Sequence, residues 1–276
     1  MIPETVAQAA GMARAKAELL RRHPLGYLVL SILAGAYVGF GIALVFAVGA
    51  PLAADGSPLV KLLMGASFGV ALSLVIMAGA ELFTGNNLVM AVGVARRAAG
   101  LADLAGVWGL SYAGNLAGSL ALAWLVAQSG VLGSSPQLEF VQQAVAGKMS
   151  LPFGELFVRG ILANWLVCLA VWSAMRATSD AGKLVMVWWC LFAFVGPGFE
   201  HSIANMTLLG IGLLQPHGPE ISWAGFVHNL VPVTLGNIVG GAIFVGMAYW
   251  LASRPLALPR LAASGSAATQ PAESGD

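Results

Sequence analysis

Charge is what this sequence has least of. Thirteen Lys and Arg and twelve Asp and Glu make up 9% of the 276 residues, against roughly a quarter in a soluble domain. So few charges exclude a surface that is solvated all round, and a net charge of +1 offers no basic field for nucleic acid. Cysteine is scarce as well. Cys168 and Cys190 stand alone in the apolar runs "LVCLAV" and "WWCLF", without a CxxC pair. They read as small buried hydrophobes, not as a disulfide or metal ligands. Walker, GxSxG, HExxH and dinucleotide-binding motifs are missing from any position where a fold could use them, so an enzyme reading has nothing to rest on. What the chain does have is 58% hydrophobic residues, 35 glycines and a mean hydropathy of +0.84. It reads as an all-α integral membrane protein.

Apolar segments fall at residues 25–50, 60–94, 104–128, 155–176, 184–213 and 222–252, each near or beyond the roughly 20 residues needed to cross a bilayer core. Arg14, Lys16, Arg21 and Arg22 ahead of the first could mimic a signal peptide, but the run that follows is long enough to span. Residues 1–23 mix alanines with charges and predict an amphipathic helix at the membrane surface. Residues 24–253 form the channel-like membrane domain, and the tail over 254–276, rich in Ala, Ser and Gly, predicts disorder. Six spans put both termini on one side. Ten of the thirteen Lys and Arg lie on that side, in the N-terminal arm, residues 95–103, residues 176–183 and the tail. The positive-inside rule therefore makes it the cytoplasmic side.

Segments two and five are each too long for one straight helix, and each carries polar residues near mid-length. Glu81 precedes Asn86 by five residues, and Glu200 precedes Asn205 by five. A second shared pattern follows each, Gly114-Asn115 in segment three and Gly236-Asn237 in segment six, at 34 and 37 residues from the two glutamates. The chain thus reads as two copies of a three-span unit. Because three is odd, the second copy enters the membrane from the opposite face, and the two are related by a pseudo-twofold axis in the membrane plane. Such inverted repeats place the solute path at the repeat interface, between helices broken near mid-membrane.

His201 is the histidine that falls well inside a predicted span, in a broken helix beside Glu200 and Asn205. An ionisable group at that depth points to the solute path. A metal site would need a second ligand at helical spacing, and none stands there. Glu81 and Glu200 read as carboxylates that satisfy freed backbone N–H groups at the two breaks. Asn86 and Asn205 read as closing the loops. Thr84 can satisfy interrupted backbone or line the lumen, and Asn164 can be interhelical glue or a pore ligand. Lys148 is a solvated lysine or a cation that concentrates anions at the mouth. Phe68 and Leu72 share a helical face leading into the first break and Phe194 leads into the second, so they can form hydrophobic constrictions around the histidine.

The stretches "GAELFTGN", "NWLVCLAVW" and "GFEHSIANM", with "GN" in segments three and six, resemble the formate/nitrite transporter family from about Pro24 to Trp250. The resemblance implies an aquaporin-like protomer of six helices, with helices two and five broken. It implies a homopentamer with one pore per subunit in a bacterial inner membrane. Nitrite and protons are the expected solutes, with formate or hydrosulfide as alternatives. It further implies a substrate pathway through His201, Thr84, Asn164, Lys148, Glu200 and Asn205, and constrictions at Phe68, Phe194, Leu72 and Leu82, with no cofactor. One departure stands out. Pro197 lies just ahead of the second break, where it removes a backbone donor and leaves the local geometry open. A neutral-solute pore would call for Asn-Pro-Ala loops. "NLA" at 115–117 lacks the proline and sits in the wrong segment.

Overall fold

The computed structural model describes residues 2–254, so the expectation of a disordered tail falls almost wholly outside them. Among the described residues the chain is helical, without a strand. Five helices are long and apolar enough to cross a membrane: Pro24–Ala54, Val60–Gly79, Leu101–Ser129, Phe153–Arg176 and Trp223–Ala252. The fifth predicted segment is divided between Asp180–Val195 and Ser202–Leu214, neither of which reaches 18 residues.

In chain order, α1 is Ile2–Arg22, α2 Pro24–Ala54, α3 Val60–Ser67, α4 Gly69–Leu74, α5 Phe83–Ala95 and α6 Leu101–Ser129. Then come α7 Gln137–Ser150, α8 Phe153–Arg176, α9 Asp180–Val195, α10 Ser202–Leu214, α11 Trp223–Ile238 and α12 Ala248–Ala252. Two π-helical stretches interrupt the series, Val75–Gly79 after α4 and Val239–Met247 between α11 and α12.

The repeat is visible in the packing. α2 lies against α6 as α8 lies against α11, and in both pairs the backbones nearly touch. A methyl added at Gly118 would sit 1.9 Å from the Ile32 carbonyl oxygen, and one at Gly236 would sit 2.1 Å from that of Phe157. Only glycine admits such an approach, and close backbone contact is how apolar helices associate where lipid competes for their side chains.

α1 does not present its apolar stripe to the surroundings. Val6, Ala9, Ala13 and Ala17 are all at most 2% exposed, at the three- and four-residue spacing of one helix face. Its alanines pack on α5, where the Ala13 methyl occupies the space over Gly93. α1 precedes the first repeat as α7 precedes the second, and both return at the site.

Candidate functional site

Each break ends a helix, runs three residues extended and starts a new helix. Gly79 (φ 80°) and Gly198 (φ 85°) turn the chain out of the first half-helix in the left-handed region that glycine tolerates. The last turns close alike, Ala80 N–H to the Val75 carbonyl and Phe199 N–H to the Phe194 carbonyl. Pro197 does not disturb this. The closing donors are Gly196, Gly198 and Phe199, so the missing N–H falls where no bond is made.

Residues 80–82 and 199–201 are then held by one asparagine each. Asn115 Oδ1 accepts the Phe83 N–H at 2.9 Å, while its Nδ2 donates to the carbonyls of Ser31 and Glu81. Asn237 repeats this in the second copy, with Oδ1 accepting the Ser202 N–H at 2.9 Å and Nδ2 donating to Gly160 and Glu200. Glu81 N–H donates to the Leu30 carbonyl and Glu200 N–H to that of Arg159. Extended backbone at this depth must find internal partners. These clamps supply them, and they explain the "GN" pattern.

The glutamate side chains are held alike too. Glu81 takes Lys16 of α1 at 2.6 Å and the Asn86 amide at 3.1 Å. Glu200 takes Lys148 of α7 at 2.6 Å and the Asn205 amide at 2.6 Å. Asn86 also donates to the Tyr27 hydroxyl, and Asn205 to Asn229. Lys16 and Tyr27 were not singled out from the sequence. The signal for Lys16 was available: Lys148 lies on the helix before the second repeat, and the equivalent helix of the first is α1.

His201 caps α10, with Nδ1 accepting the Ala204 N–H at 3.2 Å. That nitrogen therefore carries no proton, and the ring as placed is neutral with its hydrogen on Nε2. Nε2 lies 2.9 Å from Thr84 Oγ1 of the other repeat, so the imidazole donates and the hydroxyl accepts. Both ring nitrogens are engaged, and His201 and Thr84 are 4% and 0% exposed. Asn164 lines none of the cavities described below. Its Nδ2 lies within reach of the carbonyls of Thr84 and Asn237 and of Asn87 Oδ1, so of its two readings the geometry is that of glue.

Three cavities lie in series. On the α1 side a vestibule of about 100 Å³ is lined by Lys16, Leu72, Leu82 and Asn86. It shares Met12, Ile76 and Val171 with a wider recess of about 490 Å³. A central chamber of about 10 Å³, room for one water, is bounded by Phe68, Leu72, Leu82, Phe194 and His201. On the α7 side a second vestibule of about 100 Å³ has Lys148, Asn205, Phe199 and His201 in its wall. Leu72 and Leu82 separate the chamber from the first vestibule. Phe68 and Phe194, edge to face with centroids 5.5 Å apart, separate it from the second. The arrangement offers a cation at each outer end, an apolar neck at each inner end and one neutral imidazole between them.

A formate/nitrite transporter profile matches residues 3–251. Nitrite transporter NirC of Escherichia coli (strain K12) is 42% identical over 261 residues, 93% of this chain and 96% of that protein. Two solved structures are similar. An FNT family ion channel has a TM-score of 0.86 at 40% identity, covering 90% of this chain and 98% of that one. A pentameric formate channel with formate bound has a TM-score of 0.73 at 34% identity, covering 83% and 96%.

Proposed function

The chain belongs to the formate/nitrite transporter family, and from that premise we propose that it conducts small monovalent anions of weak acids, nitrite first, through a pore in each protomer. The observation that carries the reading is the buried contact between His201 Nε2 and Thr84 Oγ1, set beside a chamber closed by two apolar necks. A bare anion in such a neck loses its hydration with no charge to replace it, a cost of several kcal/mol. Lys16 and Lys148, each paired with its glutamate, stand in the walls of the two vestibules and offer ammonium N–H donors to an incoming anion. The chamber then supplies a hydrogen-bond donor without a fixed cation, because an anion takes the Nε2–H from Thr84. A charged imidazole would hold the anion back instead of passing it on. The necks favour passage of the neutral acid, which forms when the anion takes a proton from the water of the vestibule, so flux carries protons with it.

In this reading six spans cross a bacterial inner membrane with both termini in the cytoplasm. α1 then lies at the cytoplasmic mouth and α7 at the opposite one. The apolar side chains exposed on α9, among them Val185 and Trp189, face lipid or neighbouring protomers of a homopentamer, a reading supported by the similar formate channel's being pentameric. Transport, not an enzymatic reaction, is the activity such a path supports.

The test is uptake into proteoliposomes with nitrite, formate and hydrosulfide compared at several pH values and internal pH recorded. Nitrite uptake with internal acidification that His201→Phe abolishes is the expected result. Uptake that survives His201→Phe with its pH dependence unchanged refutes the role of the ring. Formate as the preferred solute keeps the path and changes the substrate.

A further inference from the structure

The sixth apolar segment is α-helical up to Ile238, π-helical over Val239–Met247 and α-helical again to Ala252. Its counterpart in the first repeat, α6, is regular from Leu101 to Ser129. A nine-residue π stretch in mid-span is rare, and π turns cluster at functional sites. The stretch itself contains no proline and no loop, and Pro232 lies earlier, within α11.

The stretch sits behind the His201–Thr84 pair. Asn237, on the last α turn before it, clamps the backbone on both sides of His201 with its side chain. Its carbonyl accepts the Asn164 amide at 2.6 Å. The same amide reaches the Thr84 carbonyl at 3.2 Å, which also accepts the Cys168 thiol at 3.3 Å. Thr84 is thus held from α8 by Asn164 and Cys168, and the backbone around His201 is held from α11 by Asn237, with the Asn164 amide joining the two. Gly241 backs this assembly. A methyl there would lie 2.6 Å from Asn164 Nδ2, 2.8 Å from Cys168 Sγ and 2.9 Å from Asn87 Cβ. Asn87, Asn164 and Cys168 are all fully buried, so none can swing into open space.

We propose that the turn from Asn237 to Gly241, opened into π geometry, is the template that sets the separation of His201 from Thr84 and thereby which anion the chamber accepts. Gly241 and Cys168 act as positioning residues within it. The inference rests on the reading of that pair as the anion's meeting point.

The experiment compares reconstituted wild type, Gly241→Ala, Gly241→Ala with Cys168→Ala, Gly246→Ala and His201→Phe, each checked for pentamer assembly. The readouts are the nitrite-to-formate flux ratio and its pH profile. Gly246 lies in the same π stretch, where an added methyl would make only ordinary 3.4 Å contacts. Its alanine variant should keep the wild-type ratio. Gly241→Ala should shift the ratio about tenfold, since misplacement by an ångström can cost up to about a hundredfold. Removing the sulfur with Cys168→Ala should recover part of that shift. An assembled Gly241→Ala with the wild-type ratio and pH profile overturns the proposal. If that variant fails to assemble, Cys168→Ala alone decides, because it deletes one of the two side-chain bonds to the Thr84 carbonyl. A severalfold shift in ratio supports the template, and an unchanged ratio overturns it. Wild-type flux in His201→Phe is the separate failure, that of the underlying function.

Discussion

His201 has two duties that a single substitution can separate. Its Nδ1 caps α10 and its Nε2–H points at Thr84. Asparagine is among the best N-cap residues, and its oxygen can accept the Ala204 N–H as Nδ1 does, but its side chain is too short to reach Thr84. His201→Asn should therefore keep the helix and lose the donor. His201→Ala should lose both, and the missing cap costs about 1 kcal/mol. A hydrogen bond to a charged acceptor contributes about 1.5–3 kcal/mol. At 1.4 kcal/mol per decade, its loss cuts nitrite flux about ten- to a hundredfold in either variant. The assay is initial uptake into proteoliposomes at matched protein, with the thermal midpoint of the solubilised protein measured beside it. The expected pattern is equal loss of flux in the two variants with the lower midpoint in alanine alone. Wild-type flux in His201→Asn refutes the argument, since the ring would then be a cap and nothing more. Equal midpoints would remove the capping half of it.

The two ion pairs should behave alike across the repeats. Lys16→Met leaves the Glu81 carboxylate without its cation and held by neutral donors such as the Asn86 amide, and breaking a pair at such a site destabilises by about 3–5 kcal/mol. Lys16→Met with Glu81→Gln should recover most of that in a thermal melt, and a double variant no better than the single contradicts it. Asn237→Ala removes three bonds to buried backbone, each unsatisfied group costing about 1–3 kcal/mol. Size-exclusion chromatography should show loss of the assembled protein, and normal assembly with normal flux would contradict the clamp. Phe68→Ala opens the α7-side neck at a cost of about 3–5 kcal/mol. It should admit acetate, and unchanged exclusion of acetate in liposome uptake would move the neck elsewhere.

The repeat was legible because it is written in polar residues that a membrane segment otherwise avoids. Glu81 with Asn86, Glu200 with Asn205, and the two GN pairs survive as contacts, the clamps and carboxylate locks of the two breaks. α1 was legible as a helix but not as a part of the site. Its buried stripe is largely alanine, too weakly apolar to distinguish docking on α5 from lying at an interface, and its partner Glu81 is 65 residues away. The π stretch was not legible at all, since "VGGAIFVGM" has the composition of ordinary small-residue packing and the register shift resides in the bonding. Asn164 could not be resolved for a related reason: the spacing that turns an amide into a helical bundle is the same whether a pore or a neighbour lies there.

Placing Glu81 in register with Glu200 separates scaffold from chemistry. Both copies have the glutamate, its lysine, the second asparagine, the turn glycine and the clamp. In that register His201 falls on Leu82 and Thr84 on Ile203, while Leu30 in register with Arg159 puts Asn164 on Gly35. The histidine, the hydroxyl it donates to and the amide that holds that hydroxyl's backbone thus each occur in one copy only. Duplication accounts for two vestibules and two breaks, but it cannot supply a proton donor facing an acceptor, because identical residues across a pseudo-twofold axis would offer like against like. The site exists where the copies have diverged: an imidazole from the second meets a hydroxyl from the first at 2.9 Å. Substitutions at shared positions should accordingly cost assembly, and those at diverged positions should alter what passes.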